Sequence, residues 1–131
     1  MLVFPVWWWS LPALLKGLVD RVLITGWPFD LDAEECVVPR LQRVTAHLIP
    51  VSGTTEASFV RHGYGQAFST QVEHGILDYC GLTRGVTAFV RDSESGDEEA
   101  VGRQVEAAVD RVVAAVSGGT EGAADPSGPR V

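Results

Sequence analysis

The segment that decides the fold lies at the amino terminus and reads Leu2-Val-Phe-Pro-Val-Trp-Trp-Trp-Ser-Leu-Pro-Ala-Leu-Leu-Lys-Gly-Leu-Val-Asp-Arg-Val22. Its continuous apolar run over residues 2–6 predicts a buried strand that ends at a Trp/Ser/Pro cluster. After the cluster, leucines and valines recur at the spacing of a helix. We therefore expect an amphipathic helix over residues 11–24, with Ser10 as its cap and Pro12 in its first turn.

The rest of the chain repeats this alternation of strand and helix. Apolar runs predict strands over residues 44–51 and 86–90, the first with Pro50 at its end because proline cannot donate to a ladder. Helical spacing predicts a helix that stops before Gly81 and a last helix that begins at a capping-box pattern. The helices are expected over residues 67–80 and 95–116, and loops over residues 26–39 and 52–56. The order β-α-β-α-β-α predicts a parallel sheet with right-handed crossovers.

The composition is that of one globular domain. The chain has 131 residues, of which 46% are hydrophobic and 21% charged. Its net charge of −7 argues against nucleic acid as a partner. Two isolated cysteines do not make a disulfide framework and favour a reducing, cytoplasmic location, and no His or Cys spacing indicates a metal site. Residues 117–131, rich in Gly, Ser, Ala and Pro, are expected to form a disordered tail.

The apolar start also raises the question of a signal peptide or membrane anchor. Residues 2–15 carry no charge, but no basic residue precedes them and two prolines interrupt them. The charged residues that follow end the run short of the ~20 apolar residues that a membrane span needs. We therefore expect no stable membrane insertion.

Two loops with unusual chemistry follow the first two predicted strands, Trp7–Ser10 and Ser52–Glu56. The carboxyl ends of parallel strands are where ligands bind in such sheets. Unpaired N–H groups at a helix start, flat indoles and a glycine that allows close backbone approach suit a planar, hydrogen-bond-accepting ring such as a flavin. Aromatic clusters are also common in cores and interfaces, so the three tryptophans could serve packing alone.

Three motifs resemble one family. The segment from Phe4 to Val22 is similar, over its whole length, to the signature of the NAD(P)H:quinone oxidoreductases, which include DT-diaphorase, the modulator-of-drug-activity proteins and ancillary subunits of potassium efflux systems. Gly75-Ile-Leu-Asp-Tyr-Cys-Gly81 resembles that family's glycine-to-cysteine segment. Val51-Ser-Gly-Thr-Thr-Glu56, followed by Arg61-His-Gly-Tyr64, stands where the family has a Thr-Thr-Gly-Gly loop and a Gly-Tyr pair. The resemblance covers residues 2–115.

The resemblance implies an α/β fold, a flavodoxin-like doubly wound parallel sheet that is incomplete. With the strand order 2-1-3-4-5 of that fold, residues 1–116 supply the third to fifth strands with their helices, as a partial flavodoxin-like domain. The first two βα units are absent, which is roughly 60 residues at about 30 per unit. The loop that cradles the flavin phosphate belongs to the first unit, so this chain lacks that anchor.

The resemblance also implies which residues hold the cofactor. The backbone of residues 6–9 would contact the isoalloxazine ring, Trp8 and Trp9 would wall the nicotinamide and quinone pocket, and the loop of residues 52–54 would hold the pyrimidine edge. Phe59 replaces a tyrosine that stabilises the reduced flavin in the family, which leaves His62 as the nearest titratable group. His62 could equally be a surface residue. The expected catalytic residues are Trp8 and His62, and the expected cofactor-binding residues are Pro5, Val6, Trp7, Trp8, Trp9, Ser52, Gly53, Thr54 and Phe59.

The activity implied is a flavin-dependent NAD(P)H oxidoreductase with FAD or FMN. NAD(P)H gives a hydride to the flavin and leaves, and a quinone or similar acceptor then takes the hydride. The family also implies a homodimer. Two alternatives stay open: a non-catalytic regulatory module like the potassium-efflux ancillary subunits, and a peripheral membrane protein that uses its tryptophans as an interfacial anchor.

The other reactive residues have structural interpretations. We expect His47 in a strand, His74 on a helix surface, and Cys80 as a small buried hydrophobe. The acidic residues 92–99 favour a solvated helix start over a cation site, because carboxylates stabilise the positive end of a helix dipole.

Overall fold

The computed structural model describes residues 1–119, which form five strands and four α-helices. The strands are β1 (Leu2–Pro5), β2 (Phe29–Leu31), β3 (Val37–Pro39), β4 (Thr45–Val51) and β5 (Thr83–Thr87). The helices are α1 (Ala13–Val22), α2 (Glu56–His62), α3 (Tyr64–Phe68) and α4 (Glu98–Gly119), and a π-helical segment (Ser69–Asp78) follows α3 directly. Of the expected tail, residues 117–119 belong to α4, and residues 120–131 lie outside the described part of the chain.

The main sheet is parallel, as the strand-helix alternation predicts. Its order is β1-β4-β5, with β4 at the centre. Leu2 of β1 lies opposite Leu48, and Thr45 lies opposite Thr83 of β5. Pro50, expected at a strand end, is the penultimate residue of β4, and its carbonyl accepts a hydrogen bond of 2.9 Å from the N–H of Val90.

The prediction of a strand over residues 86–90 is wrong in its bounds. The β4–β5 ladder begins at Thr83 and shifts register opposite His47, whose Nδ1 accepts a hydrogen bond of 3.0 Å from the N–H of Val86. Beyond β5, Val90 rejoins the sheet through a single bridge to Val51. The first half of β5 is polar and exposed, so hydrophobic periodicity does not reveal it.

The prediction of a loop over residues 26–39 is also wrong. This segment contains β2 and β3, which pair antiparallel as a separate two-stranded sheet. An ion pair between Asp30 and Arg40 spans the pair of strands, and the ring of Phe29 meets that of Tyr79 edge to face at 4.9 Å. Each strand is only three residues long, too short for a pattern of period two to emerge.

The first helix is shorter than the expected 11–24. Pro12 precedes α1 as its N-cap rather than lying in the first turn, and its carbonyl accepts from the N–H of Lys16 at 2.8 Å. Ser10 does not cap the helix, because it pairs with Trp7 across a tight turn and its hydroxyl donates to Gln71 at 2.7 Å.

Helical structure between β4 and β5 starts before residue 67, the position at which the sequence predicted it to begin. Thr55 caps α2, accepting from the N–H of Ser58 at 3.3 Å, and Gly63 then breaks the helix at φ 69°. The sequence of α2 is largely polar, so spacing of apolar residues does not mark it. The expected glycine stop is confirmed, since Gly81 has φ 79°.

The cap of α4 is Asp97 and not Ser95. Asp97 Oδ1 accepts from the N–H of Ala100 at 2.9 Å, whereas the Ser95 hydroxyl accepts from the N–H of Asp97 itself at 3.2 Å. The acidic residues do surround a helix start, as expected, and no cluster of potential metal ligands occurs among the residues with a described position.

Helices cover both faces of the sheet, as in a doubly wound fold. One face carries α1, α3 and the π-helical segment, and the other carries α4. The first core cluster contains Phe4, Leu48, Phe68, Val72 and Leu77, and the second contains Ile49, Ala88, Val90, Ala108 and Val112. Within residues 1–119, no helix combines the length and apolar character that a membrane crossing requires.

Candidate functional site

Two backbone hydrogen bonds bring the predicted loops together at the carboxyl edge of the sheet. The N–H of Val6 donates to the carbonyl of Val51 at 2.7 Å, and the N–H of Ser52 donates to the carbonyl of Val90 at 2.8 Å. The chain leaves β1 and β4 immediately after these bonds. The loop of residues 7–10 and the loop of residues 52–54 are therefore neighbours, as expected for the ligand edge of a parallel sheet.

The first loop is a tight turn closed by two hydrogen bonds between Trp7 and Ser10, of 3.1 and 3.2 Å. Its two central residues have left-handed backbone conformations, with φ 51° at Trp8 and 64° at Trp9. Bulky residues rarely adopt positive φ, and such positions cost about 1–3 kcal/mol each and concentrate at functional sites. The turn makes Trp8 project from the surface with 92% of its area exposed.

Trp9 turns the other way and packs on aromatic rings from α2 and α3. It stacks on Tyr64, with ring centroids 3.5 Å apart, and meets Phe59 edge to face at 6.2 Å. We call Trp9, Phe59 and Tyr64 the aromatic platform. Phe59 is buried beneath the other two rings, so its side chain supports the site from behind rather than facing a ligand.

Tyr64 was not among the expected site residues, although the Arg61-His-Gly-Tyr64 motif contains it. The left-handed Gly63 between α2 and α3 swings Tyr64 towards Trp9. His62, at the end of α2, is exposed, with its ring 5.2 Å from that of Tyr64. The histidine thus lies beside the aromatic platform and is open to solvent.

The second loop is held by the segment that follows β5. The buried Ser52 accepts a hydrogen bond from the N–H of Thr54 at 3.1 Å. Its carbonyl accepts from the N–H of Ser93 at 3.1 Å, and the carbonyl of Thr54 accepts from the N–H of Asp92 at 3.2 Å. Residues 92–94 are thus part of the site, and the sequence offered no local signal for them.

Three backbone amides at this edge have no acceptor among the residues whose positions are described: those of Trp8, Trp9 and Gly53. Free N–H donors beside a flat aromatic surface match the chemistry of a flavin, whose ring edge carries carbonyl oxygens and ring nitrogens. The remaining expected cofactor residues lie around them, with Pro5 and Trp7 exposed and Val6 half-buried. The residues present therefore fit an isoalloxazine ring.

Arg91 joins the end of the sheet to α2 behind the platform. Its guanidinium lies 4.9 Å from the ring centre of Phe59 and 4.6 Å from that of Phe89, within the range of a cation–π contact. It also pairs with Glu56 in the first turn of α2. Arg91 therefore fixes the position of the helix that carries Phe59.

The other titratable residues occupy the structural positions that the sequence predicts. His47 is buried in β4, His74 lies exposed 3.2 Å from Asp78, and Cys80 is buried, which raises the pKa of its thiol. Arg84 donates hydrogen bonds to Asp78 and lowers the pKa of that carboxyl to about 2. None of these groups reaches the edge that carries the two loops.

Comparisons with known proteins agree with the fold and with the family that the sequence motifs resemble. A family model described as a flavodoxin-like fold matches residues 1–116. An uncharacterized NAD(P)H oxidoreductase of Haemophilus influenzae is 26% identical over 113 residues, covering 86% of this chain and 55% of that protein. Human ribosyldihydronicotinamide dehydrogenase (quinone) is 36% identical over 82 residues, covering 60% of this chain and 35% of that protein. The chain thus spans about a third to a half of the length of these relatives.

Solved structures agree on the fold. An NAD(P)H:quinone oxidoreductase from Methanothermobacter marburgensis is 21% identical and has a TM-score of 0.65, with 80% of this chain and 49% of that chain covered. An FMN-dependent NADH-azoreductase from Bacillus anthracis is 17% identical with a TM-score of 0.58, covering 84% of this chain and 55% of that one. At these identities the likeness concerns the arrangement of strands and helices alone.

Proposed function

Since this chain belongs to the Flavodoxin_2 family, whose members share a flavodoxin-like fold, we propose that it serves as a flavin-dependent NAD(P)H oxidoreductase acting on a quinone or similar acceptor. The observation that carries the proposal is the group of free amides at Trp8, Trp9 and Gly53 beside the aromatic platform. The curated relatives named as NAD(P)H oxidoreductases and quinone dehydrogenases support the reaction class.

The residues of the two loops would bind the flavin ring from two sides. The amides of Trp8 and Trp9 would donate to acceptors on one edge, and the loop of residues 52–54 would hold the pyrimidine edge. Bound flavin supplies the hydride chemistry, receiving from a nicotinamide and giving to the acceptor. The protein's task is to position and shield the ring.

Trp8 and His62 would act on the substrate side. The indole of Trp8 stands free in solvent and offers an apolar wall for a flat nicotinamide or quinone. His62 is exposed beside Tyr64, so its imidazole can exchange a proton with the acceptor as charge develops there. Thr54, where the family has a second glycine, carries a side chain that narrows the space at the pyrimidine edge.

The cofactor is FMN or FAD, and FMN is the form to test first. An azoreductase that shares this fold is described as FMN-dependent.

Titration of the purified chain with FMN and FAD, followed by flavin fluorescence, tests the proposal. We expect saturable binding that Trp8→Ala weakens, followed by NAD(P)H oxidation when a quinone is added. Trp27→Phe is the matched control, because Trp27 is also exposed but lies in the loop after α1, away from the two site loops. Absence of binding of either flavin by the wild-type chain would contradict the proposal.

A further inference from the structure

The side chain of Glu94 lies directly on the backbone of Gly53. A Cβ added to Gly53 would stand 2.9 Å from Cδ and 3.1 Å from Oε2 of Glu94. This contact exists only because residue 53 has no side chain. Glycine at this position therefore leaves room for a carboxylate of the chain itself, and not only for a ligand.

The backbone holds Glu94 at this place. The N–H groups of Asp92 and Ser93 donate to the carbonyls of Thr54 and Ser52, so the two segments run side by side. Asp92 has a left-handed conformation, with φ 56°, and this turns the chain so that Glu94 comes over Gly53. Main-chain geometry thus places residue 94 beside Gly53.

Nothing among the described residues ties the carboxylate down. Glu94 makes no hydrogen bond and no ion pair within residues 1–119, and its side chain is exposed. It can therefore swing away at little cost. The carboxylate fills the space beside Gly53 where a Cβ would otherwise stand, so a flavin ring that approaches the Gly53 backbone would meet it.

We propose that Glu94 is an affinity-determining residue that covers the Gly53 backbone and must move aside for the flavin ring. The proposal rests on the proposed function, since it concerns the same loop. Its negative charge also opposes the negative charge that a flavin ring gains on reduction, because like charges a few ångströms apart repel. Glu94 therefore weakens the binding of reduced flavin more than that of oxidised flavin.

The test compares FMN affinity among the wild-type chain, Glu94→Gln, Glu94→Ala and a control, Glu98→Gln. Glu98 begins α4 four residues further on, so the control removes the same charge without touching Gly53. We expect both Glu94 variants to bind FMN at least threefold more tightly and the control to bind like wild type. The proposal is overturned if the Glu94 variants bind FMN no more tightly than the wild type. It is also overturned if Glu98→Gln gains as much FMN affinity as they do.

These outcomes separate the two proposals. Wild-type binding with unchanged affinity in the Glu94 variants overturns the role of Glu94 and leaves the flavin function standing. Absence of flavin binding in every variant overturns both.

Discussion

At the scale of single residues, the site is built from side chains whose backbone is unusual. Trp8 and Trp9 both have positive φ, and their turn is closed by hydrogen bonds between Trp7 and Ser10. The strain is offset in part by the stacking of Trp9 on Tyr64. Trp8 itself contributes little packing because it is almost fully exposed. Its indole therefore contributes little to stability, and its role in binding stays a prediction.

Replacement of Trp8 by glycine separates these two roles. Glycine adopts positive φ freely, so Trp8→Gly should stabilise the fold by up to about 1 kcal/mol after the entropic cost of glycine is counted. The same variant should weaken flavin and acceptor binding, since the exposed wall is gone. Urea unfolding and flavin titration measure the two effects.

Trp7→Gly provides the comparison, because Trp7 is also exposed but is not in the left-handed region. There, glycine brings only flexibility and should destabilise the chain. Stabilisation of equal size by both variants would show that backbone strain at Trp8 is not the cause.

At the scale of elements, the close approach of β5 to β4 at Gly85 sets the register between these two strands. Gly85 of β5 lies against His47 of β4, and a Cβ added there would stand 2.5 Å from the imidazole Nδ1 and 2.9 Å from the carbonyl of Ala46. The same imidazole accepts the N–H of Val86. The register shift between β4 and β5 thus depends on a histidine and a glycine together.

Gly85→Ala should therefore destabilise the protein by about 1–3 kcal/mol, as overpacking against backbone does. Gly17→Ala in α1 is the matched control, since an added Cβ there meets no atom within 4 Å. That control should be neutral or stabilising by up to about 1 kcal/mol, because alanine favours a helix. Chemical denaturation of both variants checks the prediction, and similar losses in the two would contradict it.

The π-helical segment is tied to β5 by charge. Asp78 accepts hydrogen bonds from Arg84, which lowers the pKa of Asp78 from 3.8 to about 2. A carboxyl whose pKa is lower in the folded state stabilises the fold above its unfolded pKa, and that contribution is lost as pH falls towards the folded value. The contribution should thus disappear between about pH 5 and pH 2. Both side chains are more than a third exposed, so solvent screening keeps the effect small.

We expect Asp78→Asn to reduce stability at pH 7 and to flatten its decline between pH 5 and pH 2. Arg84→Met should flatten the same part of the profile, because it removes the cation that lowers the pKa. Thermal unfolding across this range measures the effect. If the stability of both variants falls between pH 5 and pH 2 as steeply as that of the wild type, the Asp78–Arg84 pair is not the source of this pH dependence.

At the scale of the whole molecule, helices shield the sheet faces, whereas the outer strands β1 and β5 each have one edge with no strand partner among the described residues. Within the described residues, β1 pairs only with β4, so its other edge has unpaired backbone groups. The exposed residues here include Val3 in the strand, together with Leu14 and Leu18 on the neighbouring helix α1. An open apolar edge favours association between chains. The homodimer that the family resemblance implies stays a prediction.

Val3→Lys should therefore shift the chain towards the monomer, because a charged edge residue blocks strand pairing. Val60→Lys on α2 is the control, being at least as exposed but far from the edge. Sedimentation velocity over a range of concentrations measures the association. A monomeric wild type, or equal loss of association in the control, would contradict the prediction.

The sequence by itself determined the parallel α/β order, the strands β1 and β4 and the glycine stop at Gly81, because each follows from local periodicity or backbone freedom. It also determined that loops 7–10 and 52–54 lie at one edge, since parallel strands end together. The bounds of β5 depended on its distant partner β4. The hairpin of β2 and β3 is local but too short to show a periodic pattern, and the caps at Pro12 and Asp97 are local choices between neighbouring candidates.

Only the tertiary structure decided how the site is assembled. It placed Phe59 behind the platform, turned Tyr64 onto Trp9, and brought Glu94 over Gly53. Each of these contacts joins residues from separate elements through stacking or main-chain hydrogen bonds. A local residue pattern reveals the periodicity of one helix or strand. These contacts depend instead on how the helices, strands and loops pack together, so only the tertiary structure shows them.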